Sequence, residues 1–174
     1  TLRQAQKTVI RILEPLINSG FNRPIILGLE MLRAEHQPFI DRFMNGEMEE
    51  SEFLKRIDYE KTWGFNWNHY KTILTFARTH NIRVYGLNTS RHKLSGRDRL
   101  AAKRIAEVIA DQPGALMVVL FGDLHIAENH LPNSVDEALS ARQMPQRNRL
   151  IICQNSERIY WQLAESGLEQ TTEA

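Results

Sequence analysis

Three short apolar runs set the limits on what this chain can fold into: "RPIILGLE" at 23–30, "IRVYGLN" at 82–88 and "ALMVVLFG" at 115–122. Each is nearly unbroken rather than alternating, as expected for a strand buried on both faces, and each is too short for a core helix. Segments of helical periodicity separate them. Strands alternating with helices specify an α/β domain with a mostly parallel sheet flanked by helices. Right-handed crossovers then place all the carboxyl ends of the strands along one edge. Ligands of open α/β sheets bind outside that edge. Each run stops at polar residues: Glu30, Asn88, and Asp123 followed by His125. The three stops are therefore expected to share one rim.

The helical segments can be read from their spacing. Leu2, Ala5, Val9, Leu13 and Leu16 form one apolar face, stopped near Gly20, with Pro15 expected to bend or break the helix locally. Glu30 is expected to close the first strand. Residues 36–80 read as three helices with no strand between them, which predicts a helical insertion, a lid over the carboxyl edge. A helix over "GRDRLAAKRIAEVIADQPG" has Leu100, Ala101, Ile105, Val108 and Ile109 inward and ends at Pro113-Gly114. The stretch "ENHLPN" reads as a turn, and "SVDEALSAR" as a short helix with Ser134 as N-cap. "RLIICQ" and "RIYWQLAE", on either side of Asn155-Ser156-Glu157, read as an antiparallel pair. One domain is expected over 1–166, with a polar tail at 167–174.

Composition narrows the function classes. With 22 basic and 21 acidic side chains among 174 residues, the net charge is +1, and no field of one sign marks a nucleic-acid partner. Cys153 is the single cysteine, which excludes an intrachain disulfide framework and a multi-cysteine metal centre. No apolar run approaches the ~20 residues of a membrane span. No leader peptide is read at the start, and a trimmed chain would have lost one. There is no Gly-x-Ser-x-Gly elbow and no phosphate-binding glycine pattern.

Three stretches carry a resemblance when taken in order: "LGLEML" with "EHQPFIDRFMNGE", then "WGFNWNHYKTILTFARTHNIRVYGLN", then "VVLFGDLHIAENHLP". Over about residues 25–132 the chain resembles the ChaN-like proteins of the haem-binding-uptake and Tiki superfamily, a group that shades into erythromycin-esterase-like enzymes. The resemblance implies a parallel sheet with a helical cap, and a haem- or iron-cofactor-binding protein acting in iron or haem uptake. It also implies a lipoprotein of the bacterial cell envelope, a small-molecule ligand, and a homodimer as candidate partner, since some members hold haem as a stacked pair between protomers. The alternative it implies is a divalent-metal-dependent hydrolase of peptides or esters, of the Tiki or erythromycin-esterase-like type. The family opens with a strand ending in a Gly-Glu-x-x-His-like motif ahead of the helix that starts this chain at Thr1. The expectation is therefore a domain lacking that strand, with part of its polar set.

Glu30 and His125 match the family's positions and are the expected catalytic and metal-holding pair. Carboxylate and neutral imidazole suit zinc, manganese or iron, and an open position would activate water. The bland reading has Glu30 capping a helix N-terminus or pairing with an arginine, and His125 donating to a backbone carbonyl. Asp123, beside Gly122, is expected either at the ligand or as the group that orients His125. His130 reaches a pocket only through loop geometry. Trp63, Trp67 and Tyr70 lie at four- and three-residue spacing and read either as core or as a flat wall for a porphyrin, with Tyr70 or Tyr59 as axial oxygen ligand. Asn88 either donates an amide hydrogen bond to a bound carboxylate or oxyanion or simply ends its strand.

Overall fold

The computed structural model describes residues 2–90 and 93–154. Three parallel strands, β1 (Ile25–Arg33), β2 (Arg83–Asn88) and β3 (Leu116–Leu120), form one sheet in the order β2-β1-β3. The helices are α1 (Leu2–Asn18), α2 (Gln37–Met44), α3 (Glu50–Arg56), α4 (Tyr59–Thr62), α5 (Asn68–Thr79), α6 (Leu94–Asp111), α7 (Asp123–Ile126) and α8 (Leu131–Ala141). A 3-10 turn at Ala34–His36 joins β1 to α2. The α/β class and the parallel sheet follow the sequence expectation.

Alternation along β1 sorts the helices into two layers. Leu27, Leu29 and Met31 enter a core shared with Val9 and Leu13 of α1, Phe43 of α2, Phe53 of α3 and Tyr70, Ile73 and Leu74 of α5. The helical insertion thus begins at the carboxyl end of β1 and builds, with α1, the layer on one face. Phe43 and Phe53 stack at its centre with ring centroids 4.3 Å apart and 8° between planes. Gly28 turns to the opposite face, where a Cβ would lie 2.5 Å from Leu87. That face packs Leu87, Met117 and Val119 against Ala101, Ala102 and Ile105 of α6 and Leu131 of α8. Burying these side chains supplies about 1.5–3 kcal/mol each, which is what fixes the layers.

Several local readings are corrected. β1 runs three residues past Glu30, because Met31 and Leu32 are buried and the chain continues through a register shift between Leu29 and Arg33. Extra length on one strand bends it and re-aims the side chain at the irregularity. α1 continues through Pro15 to Asn18, since Val9 and Leu13 are locked into the core and packing outweighs the missing donor. α8 begins at Leu131, with Pro132 in its first turn, so the expected turn at "ENHLPN" is already entering helix and Ser134 is internal. Residues 148–154 form no strand. Arg147 donates to the Pro113 carbonyl, Arg149 donates to the Pro132 carbonyl and the Asp136 carboxylate, and these side-chain anchors set the course instead. The expected second strand of that pair lies outside the described residues.

One edge of the sheet is closed by a side chain. Gln37 donates through Nε2 to the Val84 carbonyl at 2.9 Å and accepts the Gly86 N–H through Oε1 at 3.1 Å. Its amide thereby pairs with the outer edge of β2 as a further peptide unit would. Asp41 accepts the second Nε2 proton at 2.9 Å and holds the amide in that orientation.

Candidate functional site

The carboxyl edge brings together a cluster on the α6 side of the sheet. Glu30 sits at the irregular part of β1, where one carboxylate oxygen accepts the Gly122 N–H at 2.7 Å. The other lies 3.3 Å from His125 Nε2 and 3.8 Å from the Arg97 guanidinium. Gly122 follows the end of β3 and its backbone meets Glu30 directly. His125 is buried on the one-turn helix α7, with the Phe121 ring packed edge-on at 5.1 Å. Its Nδ1 is bonded to Asp98 Oδ1 on α6. The second oxygen of Asp98 contacts His130 Nδ1 at 3.2 Å.

A chain of contacts therefore runs Glu30, His125, Asp98, His130, from the irregular stretch of β1 to a half-buried imidazole. Burial alone would lower the His125 pKa, but hydrogen bonds to Glu30 and Asp98, with the charges of both carboxylates, outweigh it and raise the value above the usual histidine range. With a carboxylate at each ring nitrogen, the doubly protonated imidazolium is the form that satisfies both. Asp98 is only 1% exposed and draws its compensation from the two histidines.

Of the three residues expected to converge, Glu30 and His125 meet but face each other, while Asn88 does not join them. Neither nitrogen of His125 is left for a metal, and among the described residues no group of three or more histidine, cysteine, aspartate or glutamate side chains is placed to hold one. Asp123 is exposed, and the carboxylate that orients His125 is Asp98. Asp98 was missed, yet it carried a signal: an acid at three-, four- and seven-residue spacing from Ala101, Ala102 and Ile105, on the apolar face of α6. Asn88 ends β2 and accepts its neighbour Thr89's N–H at 2.8 Å. It lines a cavity of about 360 Å³ with Leu87, Leu100, Lys103 and Arg104, apart from the histidines.

Trp63, Trp67 and Tyr70 occupy the other layer. Trp67 packs edge-on against Tyr59 at 5.2 Å and Trp63 against Tyr70 at 6.0 Å, within the core around Phe43 and Phe53. Among the described residues the Tyr59 phenol and the Trp67 indole N–H are buried without a hydrogen-bond partner, while the Trp63 indole lies close enough to the Tyr70 phenol to oppose its upward shift. Burial pushes both tyrosines above the ordinary phenol range, and the neighbouring phenol adds to the shift at Tyr59.

Residues 2–96, more than half of the chain, match the family model described as haem-binding uptake, Tiki superfamily, ChaN. The chain belongs to this family. Its ChaN-type fold is seen in two solved structures. One, described as cofacial heme binding to ChaN of Campylobacter jejuni, is 15% identical with a TM-score of 0.55, over 79% of this chain and 71% of that one. The other, RRSP, a MARTX toxin effector domain from Vibrio vulnificus, is 22% identical with a TM-score of 0.50, over 71% of this chain and 25% of that one. No curated protein matches the chain. Among the described residues no helix is long and apolar enough to cross a membrane. The ChaN family match takes in Glu30, Trp63, Trp67, Tyr70 and Asn88, while Asp98, His125 and His130 lie beyond it.

Proposed function

We propose that this protein binds haem at the carboxyl edge of its sheet and acts in haem or iron uptake at the bacterial cell envelope. The observation that carries the reading is the family match over residues 2–96. The residues present suit the group. A porphyrin needs an iron ligand, cations for its propionates and an apolar bed. Among the described residues, His130 is an imidazole with one nitrogen unpartnered, and the Arg97 guanidinium, 3.8 Å from Glu30, has a buried Nε with no partner. Leu124 is 66% exposed one residue from His125. Haem would supply the iron; the chain would supply binding and orientation. Tyr59 and Tyr70 are 4% and 3% exposed, so a phenol ligand would require the helical layer to open.

Titration of the full chain with ferric haem tests this. The expected result is a shifted Soret band with a sharp, saturable stoichiometry, and sedimentation at each haem ratio reports whether a second copy joins. A spectrum that stays that of free haem overturns the reading.

A further inference from the structure

We propose that the cavity outside the carboxyl end of β2 is a ligand site in its own right, built for a small organic carboxylate with an apolar body. The chain leaves β1 toward the layer that holds α2 and α5, and leaves β2 toward α6 on the opposite face. Where neighbouring parallel strands part in this way, a crevice opens between their carboxyl ends, and open α/β sheets take their ligands there. The cavity of about 360 Å³ occupies that place: Glu35 comes from the turn after β1, and Leu87 and Asn88 from the end of β2. Leu100, Lys103, Arg104 and Glu107 complete it from α6, at the three-, four- and seven-residue spacing of one helical stripe. The volume suits a small molecule.

The groups left without partners are donors. Asn88 is only 9% exposed, and its Oδ1 takes the Thr89 N–H at 2.8 Å. Its amide nitrogen is the atom left over, with no bond among the described residues. Arg104 holds a buried Nε with no hydrogen-bond partner, and its guanidinium is steadied 5.4 Å over the Tyr85 ring. Lys103 forms no ion pair or hydrogen bond among the described residues. An amide, a guanidinium and an ammonium on one cavity call for an oxyanion, which they would hold by charge-assisted hydrogen bonds.

The acids decide which oxyanion. Glu107 lies 3.6 Å from Arg104 and 3.2 Å from Arg142, and Glu35 lines the wall supplied by the turn. Two acids against two cations leave the lining without net charge, which suits a monoanion and disfavours a phosphate dianion. Leu87 and Leu100 offer carbon surface for the body of the ligand.

The test titrates the full chain, isotopically labelled for nuclear magnetic resonance, with benzoate, with benzamide as its uncharged counterpart and with inorganic phosphate. The signals read are the Asn88 side-chain amide and the Lys103 and Arg104 backbone amides. Benzoate is expected to shift them saturably, and benzamide to bind about tenfold more weakly. Lys103→Gln is expected to weaken benzoate about tenfold and Lys103→Arg to restore it. Lys103 is exposed, so neither change reaches the core. Asn88→Asp replaces the donor amide with a like charge and is expected to abolish binding. Benzoate shifts that do not saturate, benzamide bound as well as benzoate, or undiminished affinity in Lys103→Gln overturns the site. Phosphate bound as tightly as benzoate overturns the carboxylate class. None of these readouts involves haem.

Discussion

Glu30 and His125 face each other at 3.3 Å between the irregular stretch of β1 and the single turn of α7, and Asp98 closes on the far side of the same ring. Three elements distant in sequence are thus pinned by one imidazolium. Removing a single member of a buried, paired set leaves the others uncompensated. His125→Ala is expected to lower unfolding stability by about 3–5 kcal/mol, measured by urea titration. A loss below about 1 kcal/mol would show that the carboxylates find other partners.

The same cluster sets a pH dependence. The groups facing His125 are Glu30 from β1, Asp98 from α6 and the Phe121 ring, with Arg97 reaching it only through Glu30. Its folded pKa is raised above the ordinary 6.5. The stabilisation is therefore full below the unfolded value and is lost as pH rises through the folded one. Urea midpoints of wild type minus His125→Gln should shrink as pH climbs from about 6.5 upward. A difference that grows with pH refutes the raised value.

Tyr59 holds a buried hydroxyl with no partner among the described residues. Deleting an unsatisfied buried hydroxyl removes its desolvation penalty. Tyr59→Phe is expected to be neutral or to stabilise by about 1 kcal/mol in thermal melts. Destabilisation of that size would mean the phenol is bonded in solution.

Gln37 closes the outer edge of β2 with its amide. Gln37→Leu leaves the Val84 carbonyl and Gly86 N–H without that partner and is expected to cost about 1–3 kcal/mol. Hydrogen exchange at Gly86 reports it directly, and unchanged protection there would discount the bond.

The sheet was legible because buried parallel strands leave unbroken apolar runs, and strand direction brought Glu30 and His125 to one edge, whereas Asn88, expected with them, lines a separate cavity. What escaped was set by contacts distant in sequence. The continuation of β1 past Glu30 depends on where Met31 and Leu32 find burial, and the anchoring of residues 148–154 on arginines bonded to Pro113 and Pro132. Asp98 showed itself only as an acid on an apolar helix face, a mark that is easily taken for a helix edge. His130 looked like a loop residue until Asp98 was seen behind it.

The amide of Gln37 has a consequence for how this sheet can be extended. The Val84 carbonyl and the Gly86 N–H on the far side of β2 are already spoken for, whereas β3 pairs on one side only among the described residues. Lateral growth is therefore hindered beside Val84 and Gly86, and the edge at Leu116–Leu120 is the one that carries no such side-chain cover among the described residues.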